Sequence, residues 1–211
     1  MRKSEIRRLS KSVGTVLFTD KDDYVGIATG FVAYQDDIIL TTHHDGGPFT
    51  KPHLFITTDE KVYRIACYFS PDGCESVCIL RTFHRTGLTP FQCAEEADVR
   101  QGDRLTAIGY KGGQIPVVTN SVFHRFHPFR EAVNFHGIFT PGSCGTPILN
   151  GEGKVIAVYR GSSIKRKCYN IATSIEYYND CYNALKENVD LWDGEYSLRA
   201  LLRETKENGK D

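Results

Sequence analysis

Residues 14–42 read GTVLFTDKDDYVGIATGFVAYQDDIILTT. Three runs rich in β-branched and aromatic residues, GTVLFT (14–19), GIATGFVAY (26–34) and DIILTT (37–42), are separated by acidic, turn-forming residues and carry no helical period. Short runs of that composition, bounded by turn residues, predict strands. The pattern continues through HLFITT (53–58), VCILRT (77–82), RLTAIGY (104–110), IPVVTNSVFHRF (115–126) and KVIAVYRG (154–161). Many short strands punctuated by glycine and proline predict an all-β barrel or sandwich. The charged stretch CAEEADVRQGD (93–103) divides the runs into two groups of similar length, as a linker between two small barrels would.

The ends differ from the middle. Residues 1–12 carry five basic side chains against Glu5, with Ile6 and Leu9 three apart as on one side of a short helix. After Ile175 the positions Tyr177, Tyr178, Cys181, Tyr182 and Leu185, and later Leu198, Leu201 and Leu202, recur at helical intervals. The expected organisation is a basic, helical N-terminal segment (1–12), a first β-barrel (13–95), a second (96–176) and a helical C-terminal extension (177–211) with a frayed end.

A hydrophobic content of 40% with 25% charged residues fits a folded globular chain and excludes disorder and collagen-like structure. A formal charge of zero leaves no protein-wide field to recruit nucleic acid. No run reaches the roughly 18 apolar residues of a membrane span, and the start lacks the apolar core of a signal peptide, so a cytoplasmic protein is expected. The seven cysteines are odd in number and lack the spacings of a disulfide framework, which suits a reducing compartment. Cys74 and Cys78 have no second Cys/His pair to complete a zinc site, so neither a metal nor a cofactor is expected.

The strongest chemical signal is Thr140-Pro141-Gly142-Ser143-Cys144-Gly145-Thr146-Pro147-Ile148-Leu149, a glycine-bracketed turn followed by an apolar strand. Glycines on either side of a nucleophile let the backbone bend until its N–H groups converge on the oxygen of a tetrahedral intermediate. Ser143 also lies in the turn, but the bracket is centred on Cys144. A thiol at its ordinary pKa is mostly protonated at neutral pH and needs a base. Ile38-Ile39-Leu40-Thr41-Thr42-His43-His44-Asp45-Gly46-Gly47 ends an apolar strand in two histidines and a glycine loop, a rigid mount for an imidazole.

Gly-x-Cys-Gly-x-Pro, with Leu-Thr-x-x-His placing His44 100 residues upstream of Cys144, resembles the chymotrypsin-like cysteine proteases, in particular the 3C and 3C-like enzymes of positive-strand RNA viruses (picornavirus, calicivirus, potyvirus and nidovirus). Gly153–Gly161 resembles that family's strand beside the P1 pocket, and Gly30-Phe31-Val32 its first-barrel strand. The resemblance implies two six-stranded antiparallel β-barrels of the chymotrypsin fold with a short helical C-terminal tail. It implies a cysteine endopeptidase that processes a viral polyprotein, releases itself from it, and works in the host cytoplasm. It casts Cys144 as nucleophile and His44 as general base, with Gly142, Ser143 and Cys144 lining the oxyanion hole. The third member is Glu75, Asp72 or absent, since a thiol can work in a dyad. Tyr159, Arg160, Thr140 and Gly161 are implied at the substrate site. Tyr159 stands where many 3C enzymes have a histidine, so a Gln or Glu preference at P1 is inherited from the family.

Each residue also has a plainer role: Cys144 as a small buried apolar side chain, the glycine turn as a turn, Tyr159 as core. An inactive binding module on the same fold and a cellular trypsin-like protease with cysteine in place of serine are the competing functions. Lys165-Arg166-Lys167, the aromatic and basic residues 123–130 and the N-terminal segment suggest weak RNA contact as a secondary expectation, and the tail would also suit a homodimer.

Overall fold

The computed structural model describes residues 1, 3–19, 24–42, 51–72, 77–95, 99–111, 114–126, 132–136, 142–162, 170–188, 191–192 and 195–197. Helix α1 (Lys3–Ser10) precedes β1 (Val13–Thr19), β2 (Tyr24–Val32), β3 (Ile38–Thr41), β4 (Lys51–Thr57), β5 (Val62–Asp72) and β6 (Cys78–Thr82). Then come β7 (Arg104–Lys111), β8 (Gln114–Phe126), β9 (Ala132–His136), β10 (Pro147–Leu149), β11 (Val155–Ser162) and β12 (Asn170–Ser174). Helix α2 (Ile175–Glu187) and β13 (Glu195–Ser197) follow. Among the described residues no helix is long and apolar enough to cross a membrane.

Strands β7 to β12 close into a six-stranded barrel in the order β10-β11-β12-β9-β8-β7. The others form a seven-stranded sheet, β13-β5-β4-β1-β2-β3-β6, curled so that β5 also pairs with β6. The expected all-β architecture is present, as one closed barrel of six strands and one curled sheet of seven. The added strand is β13, which lies parallel to Ser70–Asp72 of β5.

Alternation within the first sheet explains how the two halves join. Val16, Phe18, Ala28, Val32, Ile39, Phe55, Cys78 and Leu80 point inward and form one buried cluster. Their strand neighbours Phe31, Ala33, Ile38, Leu40 and Ile79 point the other way and belong to a larger cluster with Ile148, Val155, Ala157 and Val158 of the closed barrel. Successive strand residues face opposite sides, so a strand buried on both faces must be apolar throughout. Strand β3, Ile-Ile-Leu-Thr, is accordingly buried at every position. Removing the fully buried Phe31 from this junction would cost about 3–5 kcal/mol, the range for deleting a large core side chain.

The chain crosses between the halves at residues 91–94. The Phe91 N–H donates to the Val32 carbonyl at 2.9 Å, and the Ala94 N–H to the Val155 carbonyl at 2.9 Å. Helix α2 covers the junction from outside. Its buried residues Ile175, Tyr178, Cys181, Tyr182, Ala184 and Leu185 fall on one face at the period expected of an amphipathic helix. Beyond Glu187, Leu191 lies in a 3-10 turn and Glu195–Ser197 is a strand, while Leu198, Leu201 and Leu202 lie outside the described residues.

Candidate functional site

The glycine-bracketed turn sits between β2 and β11, where the curled sheet meets the closed barrel. Gly142 and Gly145 have φ of 90° and 91°, in the left-handed region that glycine alone enters without penalty. The carbonyls of three successive turn residues are each taken by a donor of the protein. Gly142 accepts from Thr29 Oγ1 at 2.9 Å, Ser143 from the Thr146 N–H at 3.0 Å, and Cys144 from the Thr29 N–H at 2.7 Å. In a planar trans peptide the N–H points opposite to the preceding carbonyl. Fixing the Gly142 and Ser143 carbonyls therefore fixes the N–H groups of Ser143 and Cys144. The Gly145 N–H donates to the Tyr159 carbonyl at 2.7 Å, and the Tyr159 N–H to the Thr146 carbonyl at 2.9 Å, which pins the far side of the turn to β11.

Gly145 leaves no space for a side chain: a Cβ there would lie 1.8 Å from the Thr29 carbonyl oxygen and 2.7 Å from Thr41 Oγ1. The strand that leads toward His44 meets the turn at this point. Thr41 Oγ1 donates to the Thr29 carbonyl at 2.7 Å, and the fully buried Tyr178 of α2 donates its hydroxyl to the Thr41 carbonyl at 2.8 Å. A continuous set of hydrogen bonds thus runs from α2 through β3 and β2 to the glycine-bracketed turn.

Cys144 is half-buried, and its thiol donates to the Arg160 carbonyl at 3.4 Å. Burial pushes its pKa above the ordinary thiol value, and a smaller opposing contribution comes from its own backbone N–H. Desolvation disfavours the thiolate, and a carbonyl acceptor favours the protonated form. Both effects favour the protonated thiol over the thiolate. A chemical role for it requires a base. The described cysteines Cys67, Cys78, Cys93, Cys144 and Cys181 are all free of disulfides.

Of the residues expected at the site, the structure brings Gly142, Ser143, Cys144, Tyr159, Arg160 and Gly161 together on the turn and the adjoining strand β11. Tyr159 is only 4% exposed and belongs to the main core, whereas Arg160 next to it is exposed. Gly161 follows a break in the β11–β12 register. Asp72 closes β5, where its backbone partner is Ser197. His44, Glu75 and Thr140 lie outside the described residues, as do His127–Arg130 and Lys165–Lys167. Thr29, Thr41 and Tyr178 were not singled out from sequence. The threonines sit in ordinary strand runs and Tyr178 at an ordinary helical apolar position, so no local signal marks them.

Two all-β units sharing a buried core, with a sharp glycine-bracketed turn at the seam, define the chymotrypsin-like class of fold. Residues 28–158, more than half of the chain, match the family described as trypsin-like peptidase domain, and the chain belongs to that family. The fold is similar to that of a serine endoprotease from Yersinia pestis, with a TM-score of 0.73 and 14% identity over 87% of this chain and 65% of that one. It is also similar to the inactive Ser343Ala form of Rv3671c from M. tuberculosis, with a TM-score of 0.65 and 18% identity over 84% of this chain and 91% of that one. Among curated proteins the chain is 23% identical over 189 residues to the anti-sigma-I factor RsgI9 of Acetivibrio thermocellus, covering 87% of this chain. It spans about a quarter, 26%, of that relative's length. These similar proteins are bacterial. The similarity carries the fold and the family, and it carries neither a cysteine nucleophile nor the processing of a viral polyprotein.

Proposed function

We propose that this chain is a thiol peptidase of the trypsin-like family, with Cys144 as nucleophile and His44 as general base. The observation that carries the proposal is the turn itself: a half-buried thiol at its apex, with the carbonyls of Gly142, Ser143 and Cys144 all drawn inward to protein donors. Such a turn presents N–H groups where a tetrahedral oxyanion forms.

In the proposed reaction His44 takes the Cys144 thiol proton as sulfur attacks the scissile carbonyl carbon, and the carbonyl electrons move onto oxygen. The oxyanion is held by N–H groups of the turn, those of Gly142 and Cys144 with Ser143 beside them. Collapse breaks the C–N bond, and His44 returns its proton to the leaving amine. Water, activated by the same imidazole, then hydrolyses the thioester. Glu75, or Asp72 in its place, would orient His44. The raised pKa of Cys144 suits general-base catalysis, in which the thiol is deprotonated during attack.

The substrate is an extended polypeptide laid beside β11, with a polar P1 side chain, Gln or Glu, near Arg160 and Gly161. The exposed side chain of Arg160 supports this preference, while Tyr159 contributes mainly as packing behind the strand. The test is labelling with a peptide-based thiol electrophile. Single-site modification of wild type at Cys144, lost in Cys144→Ala and at least a hundredfold slower in His44→Ala, is expected. Equal labelling of several cysteines with no dependence on His44 would sink the proposal and leave an inactive binding module on a protease fold.

A further inference from the structure

Among the described residues, the turn is held at one end by packing and at the other by a side chain. Apart from its chain neighbours, no described residue has an atom within 4 Å of where a Cβ on Gly142 would stand. Its φ of 90° is one glycine can leave easily, so sterics do not fix the Gly142–Ser143 peptide. A rotation of that peptide would carry the Gly142 carbonyl away from the protein and turn the Ser143 N–H inward. Thr29 Oγ1 holds the carbonyl in place at 2.9 Å, across 113 residues of sequence.

We propose that Thr29 is the positioning residue of the oxyanion hole. Its hydroxyl fastens the Gly142 carbonyl, its N–H donates to the Cys144 carbonyl, and its own carbonyl accepts the Thr41 hydroxyl. One fully buried residue therefore sets the turn's backbone on both sides of Ser143 and registers it against the strand that leads to His44. The two backbone links would survive any substitution that keeps the chain path. The hydroxyl link alone depends on the side chain being Thr or Ser, and glycine, alanine or valine at this position would make the same strand without it. The catalytic consequence rests on the peptidase reading above; the backbone consequence does not.

The full chain is to be compared with Thr29→Val, which keeps the branched shape and loses the donor, and Thr29→Ser, which keeps the donor. Amide hydrogen exchange tests the fastening without reference to activity. At Ser143 it should change at least tenfold in Thr29→Val and stay within about twofold of wild type in Thr29→Ser, while Cys144, whose peptide is held by Thr146, and β7 and β10 are unchanged in all three. The functional arm uses two probes of Cys144. A peptide aldehyde adds the thiol across its carbonyl, sulfur to carbon and proton to oxygen, and the new oxygen lies in the hole. Iodoacetamide alkylates the Cys144 sulfur, an S–C bond replacing the C–I bond with loss of iodide and of the thiol proton, and this needs no hole. Thr29→Val should bind the aldehyde about tenfold more weakly while its alkylation rate stays within twofold, and Thr29→Ser should restore the affinity.

Equal exchange or equal aldehyde affinity in Thr29→Val and wild type overturns the proposal. So does a Thr29→Val chain that fails to fold while Thr29→Ser folds, since the residue is then structural. A wild type that exchanges as expected but forms no aldehyde adduct at Cys144 overturns the peptidase reading and leaves the fastening intact.

Discussion

Gly142 and Gly145 flank the same two residues and have nearly the same φ, 90° and 91°, yet they are held by opposite means. Gly145 is wedged against the Thr29 carbonyl and the Thr41 hydroxyl, so its side of the turn is part of the junction between the two β units. Gly142 is crowded by none of the other described residues, and its carbonyl is held by the Thr29 hydroxyl. The wedged end fixes where Cys144 sits. In the proposed function the uncrowded end is the face that receives the oxyanion, a place that side chains must leave empty. On that reading the same Gly-x-x-Gly spelling has a packing cause at one end and a functional cause at the other.

The largest effect that could break this contrast is expected from Gly145→Ala. The added methyl would meet a backbone oxygen at 1.8 Å, and neither β2 nor the turn can retreat without opening the junction. A loss of more than about 4 kcal/mol, read as a collapse of the denaturant midpoint, is expected from overpacking plus a left-handed backbone. Gly142→Ala meets nothing and bears only the conformational cost, about 1–2 kcal/mol. It should fold. If the two substitutions destabilise alike, the division into a packed and an open end is wrong.

A smaller effect tests how far the packed end extends. The Tyr178 hydroxyl, on α2, satisfies the carbonyl of Thr41, and Thr41 in turn holds Thr29. Tyr178→Phe leaves the ring in place and a buried carbonyl without this donor, which should cost about 1–3 kcal/mol in urea denaturation. Tyr178 and Gly142 are three hydrogen bonds apart, through Thr41 and Thr29, and touch no common residue directly, so the loss should be nearly the same whether Gly142 is present or replaced by alanine. Coupling above about 0.5 kcal/mol in that cycle would mean that the open end also leans on the helix.

Much of the frame was legible because burial on two faces writes itself as an uninterrupted apolar run. The runs at 37–42, 104–110 and 154–161 became β3, β7 and β11 within one or two residues. Strand β5, Val62–Asp72, was less legible, since Arg64, Cys67 and Pro71 interrupt its apolar positions. Strand β13 could not be read at all: it is held by main-chain pairing to β5, which has no residue preference to display. Cys144 and its two glycines could be read from local chemistry. Thr29 could not, because its bond to Gly142 spans 113 residues and a threonine in a strand is what any strand contains.

The subtlest expectation concerns the thiol between the two glycines. Cys144 donates to the Arg160 carbonyl on β11, so at rest its sulfur belongs to the packed side of the turn. Burial raises its pKa above the ordinary thiol value of 9.0, and an acceptor oxygen beside the sulfur opposes the thiolate further. Cys93, pushed up to about 12 mainly by burial, provides a slow internal reference. The sign follows from linkage: a thiol whose folded pKa is raised binds its proton more tightly in the native state. Its contribution to stability is full below the unfolded pKa and is lost as pH rises through the folded one. Iodoacetamide should accordingly alkylate Cys144 several-fold more slowly than a free cysteine at pH 7, with the rate still climbing past pH 9 and Cys93 slower throughout. A rate that instead levels off below pH 7 would mean a standing thiolate, paired with a charged imidazole and turned from β11 toward the open end. That outcome would move the sulfur from the packed side of the turn to the functional side, and with it the boundary between the two.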